Sequence, residues 1–447
     1  MSSDRGTETL LKVDNLEVHF AMRSSPLARL VGGASGVVKA VDGVDLAIQR
    51  GEVLGIIGES GSGKTTLGRA VMRLVKPTGG SIRFDSTDLT GLSAREFRQR
   101  QRQIQMIFQD PYAALNPAMT IATAIGHGLA IQQPQLSRAD RQERALRAME
   151  RVGLTPTDQF AGKYPADLSG GQKQRAVIAR AIALDPQLLV ADEPVSMLDM
   201  SVRSKILQLL IGLKRDMSLT LLYITHDLAS AKLLCDRIAI MYLGRIVEIG
   251  TVEQIFDEPR HPYTRALLAA IPDPDPERQM PRDLPRGEVP DAASPPLGCA
   301  FHPRCPVAID RCGWESRDLA TTLDTYWAGT GPDQYRSDQE LFADAGVLTR
   351  PSTQVRINAA HGHRGADLRD LLDRAAAATP EDPVWSGISE VVAEYQAVTV
   401  TFHDGEDPRL RATSTSQAAC LLYPEAPGDA PLASVESTEP SSSSKGA

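Results

Sequence analysis

Long apolar runs are missing from this chain: nowhere do its 447 residues approach the ~18 to 20 consecutive apolar positions needed to cross a bilayer. The opening "MSSDRGTETL" also lacks the basic segment and apolar middle of a secretory signal. Both absences predict a soluble, cytosolic protein. Lys/Arg-rich runs are absent too. The formal net charge is −8, yet residues 313–447 hold 21 acidic and 10 basic side chains, which leaves the first 312 slightly positive. Acidity belongs to the tail, and the near-neutral front offers nucleic acid no electrostatic footprint, so no nucleic-acid partner is expected. Cysteine is scarce at five residues, which in a cytosolic chain predicts reduced thiols or metal ligands rather than disulfides. No internal repeat occurs.

What is present suits a globular protein of two or three domains, with 42% apolar residues. Residues 10–20 read as a strand, followed by a Gly/Ser-rich connection and two β-branched runs, "VVKAVDGVDLAI" and "EVLGIIG". The second run ends in "GESGSGKTT" (58–66), after which Leu67, Val71 and Leu74 recur at helical spacing. The pattern is helical from 111 to 185. There Ser137 and Asp140 form a candidate capping box, Ala145, Leu146, Met149 and Val152 make an apolar side, and Gly153 is placed to end the helix. "PQLLVADEP" and "SLTLLYITHD" read as buried parallel strands, and "RIAIMYLGRIVEIG" as an edge hairpin turning at Gly244. A proline-rich extension begins near 272. Within 313–417, "ADLRDLLDRAAAA" predicts a helix and "AVTVTFH" a strand of a small folded insertion, and the end, "STEPSSSSKGA", is expected to be disordered.

Gly58, Gly63, Lys64 and Thr65 match the phosphate-loop pattern, in which backbone N–H groups and a helix N-terminus surround phosphates. Ser60, Gly61 and Thr66 belong to the same loop. Lys64 supplies a positive charge to the β/γ-phosphates and Thr65 a hydroxyl to Mg²⁺. Glycine is required where a Cβ would block the backbone's approach. Asp192, ending the apolar "LLVA", is placed as the strand-end carboxylate for Mg²⁺. Side chains diverge at a strand's end, so Glu193 faces an attacking water instead. A second glycine-rich run, "LSGGQ" (168–172), opens a predicted helix and offers backbone donors to another phosphate.

Together with "QMIFQDP", "LLVADEP", "SMLD" and "THD", these runs resemble the ATP-binding domain of ABC transporters from about residue 11 to 270. The resemblance implies an α/β fold: a P-loop NTPase core of ABC type, with a RecA-like parallel sheet, an antiparallel β subdomain, an inserted helical subdomain and a C-terminal extension. It divides the chain into an ATP-binding domain at 10–270, with helical subdomain 111–185, a Pro/Cys-containing extension at 271–312, the insertion at 313–417, and an end at 418–447. It also implies that two such domains pack head to tail, each ATP lying between the P-loop of one and the signature sequence of the other. One chain with one copy of each therefore needs a second ATP-binding subunit, expected to be related but not identical.

Carried over by position, Gln109 contacts Mg²⁺, Asp199 crosses the dimer interface, His226 holds the γ-phosphate, and Ser169, Gly170, Gly171 and Gln172 serve the partner's ATP. Phe20, at the end of the first strand, is the candidate to stack on adenine, with core packing as its alternative. Met197 replaces a residue that is often small in the family, while Ser196 and Asp199 remain. The catalytic set is Glu193, His226 and Lys64, and the chain's own loop and acidic pair are expected to be competent for hydrolysis.

"HPYTRALLAAIP" and "PPLGCAFHPRCPVAIDRC" resemble the C-terminal region of oligopeptide/dipeptide importer ATPases. This implies a peptide importer, or one for nickel or another small cargo, working on the cytoplasmic face of the cell membrane with two permease subunits and an extracytoplasmic substrate-binding protein. The alternatives are a soluble ABC ATPase of translation or DNA repair and a non-hydrolysing structural partner. Cys299, Cys305 and Cys312, spaced C-x5-C-x6-C, are joined in the family's pattern by Cys420, displaced here by 107 residues. Four thiolates suit a 4Fe–4S iron–sulfur cluster or zinc, or they pack without metal. Cys420 must fold back for either metal. Cys235 is expected in the core, and His361, His363 and His403 as ordinary surface histidines.

Overall fold

The computed structural model describes residues 8–22, 36–271 and 286–424. The proline-rich stretch at 272–285 and the tail beyond 424 lie outside the described residues.

Among the described residues, fifteen strands form three sheets. β1 (Thr9–Ala21) and β2 (Val37–Gln49) pair antiparallel, β1 also pairs β4 (Gly79–Phe84), and β4 pairs the short β5 (Thr87–Asp88). Leu11, Val13, Leu16 and Val18 point inward from β1 around a register shift near Asn15, whose φ is +44°.

The second sheet runs β14-β15-β10-β9-β3-β8-β7-β6. At its centre β3 (Val53–Ile57), β7 (Leu188–Asp192) and β8 (Thr220–Thr225) are buried at every position, and with β6 (Ile104–Ile107) and β9 (Arg237–Tyr242) they run parallel. Continuous apolar runs suit strands covered on both faces.

β9 and β10 (Arg245–Thr251) form the expected hairpin through Leu243 and Gly244, both at positive φ as a two-residue primed turn requires. The hairpin is not the edge. β15 (Gln417–Ala418) pairs with β10, and β14 (Arg411–Ala412) with β15, so the returning chain satisfies backbone groups that would otherwise be open.

Helices Pro111–Ala114, Ile121–Gln132, Arg138–Arg151, Thr157–Ala161 and Gly170–Ile182 fill the predicted helical stretch. Ser137 and Asp140 form a reciprocal capping box, Ala145, Met149 and Val152 are buried, and Gly153 turns at φ +73°.

In the third sheet β13 (Ala397–Phe402) lies between β11 (Gln354–Asn358) and β12 (Ile388–Ala393). The helix Gly365–Ala378 covers it with Leu368, Leu371 and Leu372. This layer shares one apolar core with Tyr242, Tyr263 and Phe301, so it packs onto the second sheet rather than standing apart.

Candidate active site

The run 58–66 connects β3 to the helix Lys64–Val71. Gly63 sits at φ +102°, where a Cβ would fall 2.0 Å from the Ala40 carbonyl oxygen; a Cβ on Gly58 would meet the Met241 carbonyl at 2.1 Å. The two glycines therefore let β2 and β9 close over the loop, while Ser60 and Gly61 stand exposed at its crest and Thr66 follows in the helix. Lys64 is buried, and its Nζ donates to the carbonyls of Gly58 (2.8 Å) and Glu59 (2.7 Å) and to Ser62 Oγ at 3.3 Å. Burial pushes its ammonium pKa down, opposed by the carboxylates of Glu193, Asp192 and Glu59.

Thr65 Oγ1 donates to Asp192 Oδ1 at 3.0 Å across the end of β7. Asp192 is buried, and that burial raises its carboxyl pKa against the lowering effect of the Thr65 hydroxyl. Glu193 has left-handed backbone (φ +46°) fixed by its N–H to the Ile224 carbonyl at 2.9 Å. Such backbone costs a non-glycine residue about 1–3 kcal/mol and is kept where the surroundings impose it. The turn separates the adjacent carboxylates: Asp192 faces Thr65, whereas Glu193 Oε2 accepts from Gln109 Nε2 (3.1 Å) and Oε1 lies 3.0 Å from His226 Nδ1. Thr65 and Asp192 thus bring two oxygens together in a buried spot suited to a hard cation, beside a carboxylate held by two polar side chains.

Ser169 caps the helix Gly170–Ile182, its hydroxyl accepting from Gln172 N–H and its own N–H donating to Gln172 Oε1 at 3.0 Å. Gly171 has a further reason to lack a side chain, because a Cβ would lie 2.6 Å from Val202 Cγ1. Gly170 lies beside Leu198. Among the described residues no hydrogen bond or ion pair joins 169–172 to the chain's own 58–66 loop. Asp199 starts the helix Met200–Met217, with Met197 and Met200 exposed around it. Arg203 steadies this turn through the carbonyls of Leu198 (2.7 Å) and Ser196 (3.2 Å). Phe20 is 44% exposed near the end of β1, which leaves its ring face accessible.

Two residues to which no sequence motif assigns a role also touch the loop. Tyr263 and Arg304 both reach Glu59, and no spacing rule foretells contacts across 204 and 245 residues. Away from the loop, Cys235 packs against the core as expected, beside Gly55 of β3.

The return along β15, with Ala419 N–H on the Val247 carbonyl, carries Cys420 back beside Cys299, Cys305 and Cys312. Burial raises the pKa of all four thiols, Cys305 to about 12 and Cys420 to about 11, and neighbouring cysteines add to the rise for Cys299, Cys305 and Cys420. Cys312 Sγ also accepts the Ile309 N–H at 3.3 Å, a contact that favours the thiolate. Among the described residues no group of three or more His, Cys, Asp or Glu stands placed to hold a metal ion.

Residues 41–196 match the ABC transporter family model, and 247–312 match that of the oligopeptide/dipeptide transporter C-terminal region. A Brucella ovis protein named for peptide import and ATP binding is 49% identical over 307 residues, covering 68% of this chain and 92% of the relative. The oligopeptide transport ATP-binding proteins OppF of Salmonella typhimurium and Escherichia coli are 45% and 44% identical, covering 68% and 69% of this chain and 91% of each relative. Among solved structures, the dimeric ATP-binding cassette MJ0796 bound to ADP and Pi superposes with a TM-score of 0.48 at 30% identity, over 54% of this chain and 99% of that one.

Proposed function

The chain belongs to the ATP-binding family of ABC transporters, in its oligopeptide/dipeptide branch, and we propose that it works as one half of a head-to-tail pair whose ATP hydrolysis drives peptide import. The observation that carries the catalytic part is the divergence of the acidic pair, Asp192 on Thr65 and Glu193 between Gln109 and His226. ATP phosphates take the place of the carbonyls now bound by Lys64, and the N–H groups of the 58–66 loop add fixed donors. Thr65, Asp192 and Gln109 would hold Mg²⁺, which would supply charge neutralisation for the phosphates. Glu193 orients a water and accepts its proton as the water oxygen attacks the γ-phosphorus, while the bond to the bridging oxygen breaks and ADP leaves. His226 steadies the γ-phosphate from the end of β8. Phe20 stacks on adenine. Ser169, Gly170, Gly171 and Gln172 face the γ-phosphate of the partner's ATP, with Asp199 at the seam.

The partners proposed are a second, related ATP-binding subunit, two permease subunits and an extracytoplasmic substrate-binding protein, with this chain peripheral on the cytoplasmic face of the membrane. Among the described residues no helix is long and apolar enough to cross a membrane, which agrees with contact through subunits rather than insertion. We also keep the division at 10–270, 271–312, 313–417 and 418–447, with strands near 411–418 lent to the second sheet. For Cys299, Cys305, Cys312 and Cys420 the proposal is a 4Fe–4S cluster. Four thiols within electrostatic reach of one another support it on donor chemistry, whereas among the described residues they are not placed to hold a metal ion. Iron and sulfide assays on anaerobically purified protein test it, and zinc alone or no metal refutes it.

The ATPase assignment is tested in the assembled complex. Glu193→Gln is expected to retain ATP binding while turnover falls about a hundredfold or more. Unchanged turnover would remove Glu193 from its role.

A further inference from the structure

We infer that Tyr263 and Arg304, from the C-terminal region, are positioning residues for the phosphate loop, holding Glu59 so that the loop keeps its ATP-binding shape. The inference rests on the ATP-site reading above and adds residues that lie far from the nucleotide motifs in sequence.

Glu59 is the second residue of the loop, and every polar group it carries has a partner. Its N–H donates to Tyr263 Oη at 3.0 Å, and its carboxylate oxygens accept from Arg304 Nη1 at 3.3 and 3.1 Å. Its carbonyl accepts from Lys64 Nζ at 2.7 Å and from Ser62 N–H at 3.2 Å. Phosphates that draw Lys64 away release one of these ties, and Tyr263 and Arg304 are left to fix the loop entrance. The Glu59 N–H is already engaged, so donors later in the loop remain for phosphate.

Both residues are themselves held. Tyr263 is fully buried, its ring centroid 4.6 Å from Tyr242 and 5.3 Å from Phe301, so the hydroxyl has little freedom to wander. It follows Pro262 at the start of the helix Pro262–Ala269, where His261 Nδ1 accepts the Tyr263 N–H at 3.1 Å and the His261 N–H binds Glu248 of β10 at 2.9 Å. The His-Pro-Tyr triplet thereby acquires a division of labour: histidine caps, proline starts the helix, and tyrosine reaches the phosphate loop. Arg304 is almost fully buried, its Nε lacks a partner, and Nη1 also reaches Tyr242 Oη at 3.4 Å. Glu59 is its counter-charge, and a buried arginine deprived of one would be costly. Tyr263 and Arg304 touch the same loop residue from two different segments, which a purely local packing role would not require.

The test uses the full chain, equilibrium binding of trinitrophenyl-ATP with Mg²⁺, and thermal unfolding alongside. Tyr263→Phe and Arg304→Gln are expected to weaken binding about three- to tenfold, and Arg304→Lys to recover part of the loss. The pair Glu59→Gln/Arg304→Gln is expected to be no worse than the poorer single variant, because both remove one interaction. In the assembled complex KM for ATP should rise with kcat little changed, a split that loss of folded protein does not produce. If Arg304→Gln lowers Tm, Tyr263→Phe decides, since it removes one oxygen and keeps the ring. Unaltered affinity in Tyr263→Phe, with binding abolished in the reference Lys64→Ala, overturns this inference and leaves the ATP site standing. Binding that survives Lys64→Ala overturns the site reading and this inference with it.

Discussion

Glycine 63 and glycine 61 lie two residues apart at similar backbone angles, φ +102° and +81°, yet their surroundings differ. A Cβ at 61 meets nothing within 4 Å, whereas at 63 it would lie 2.0 Å from a main-chain oxygen of β2. Gly61→Ala should therefore cost only the left-handed backbone penalty, about 1–2 kcal/mol. Gly63→Ala carries that penalty and must also move a strand, so it should lose more stability in urea unfolding and bind ATP poorly; equal losses would contradict the close approach described. At the same scale Glu193 has both carboxylate oxygens engaged, by Gln109 and His226. Each oxygen keeps a second lone pair, so both contacts can persist while the carboxylate accepts a further hydrogen bond from a water.

Among the elements, the helix Pro262–Ala269 carries a buried titratable cap. Desolvation lowers the His261 pKa to about 3. An unfolded histidine titrates near 6.5, so between about 6.5 and 3 the unfolded chain binds the extra proton and stability falls as pH falls, by at most about 1.4 kcal/mol per pH unit. Asn can still accept the Tyr263 N–H, so His261→Asn should keep the cap while flattening that slope. Urea unfolding at pH 7, 6 and 5 checks this, and parallel slopes for both proteins would refute it. The buried strands were legible as continuous apolar runs, the Ser137 capping box as a local four-residue motif and the helix within 313–417 from its composition, because each signal lies within one short stretch of chain. β14 and β15 are two residues each, too short for any period, and they cover β10 only through long-range pairing. Gly171 shows the same limit at closer range: its motif announces phosphate, but its contact with Val202 in another helix is a fact of packing.

For the molecule as a whole, the motifs mark a candidate ATP site but not how the C-terminal region meets it, since Glu59 finds its partners 204 and 245 positions away. Cys420 needed the return along β15 to join the other three cysteines, and only three-dimensional packing supplies that route. Among the described residues no hydrogen bond joins the two glycine-rich runs: the 58–66 loop is bracketed by β2 and β9, while Ser169 is exposed at the start of its own helix. If ownership of each nucleotide is shared between subunits, damage to one run should separate binding from turnover. On that proposal Ser169→Arg would put a bulky cation where a partner's γ-phosphate is received, while leaving the 58–66 loop and its Lys64 contacts unaltered. The variant should bind trinitrophenyl-ATP as tightly as the wild-type chain, yet the assembled complex should lose turnover at least about tenfold, because the partner's site lacks its closing helix N-terminus. Undiminished turnover, or equal loss of binding by the isolated chain, would mean that each subunit completes its own site.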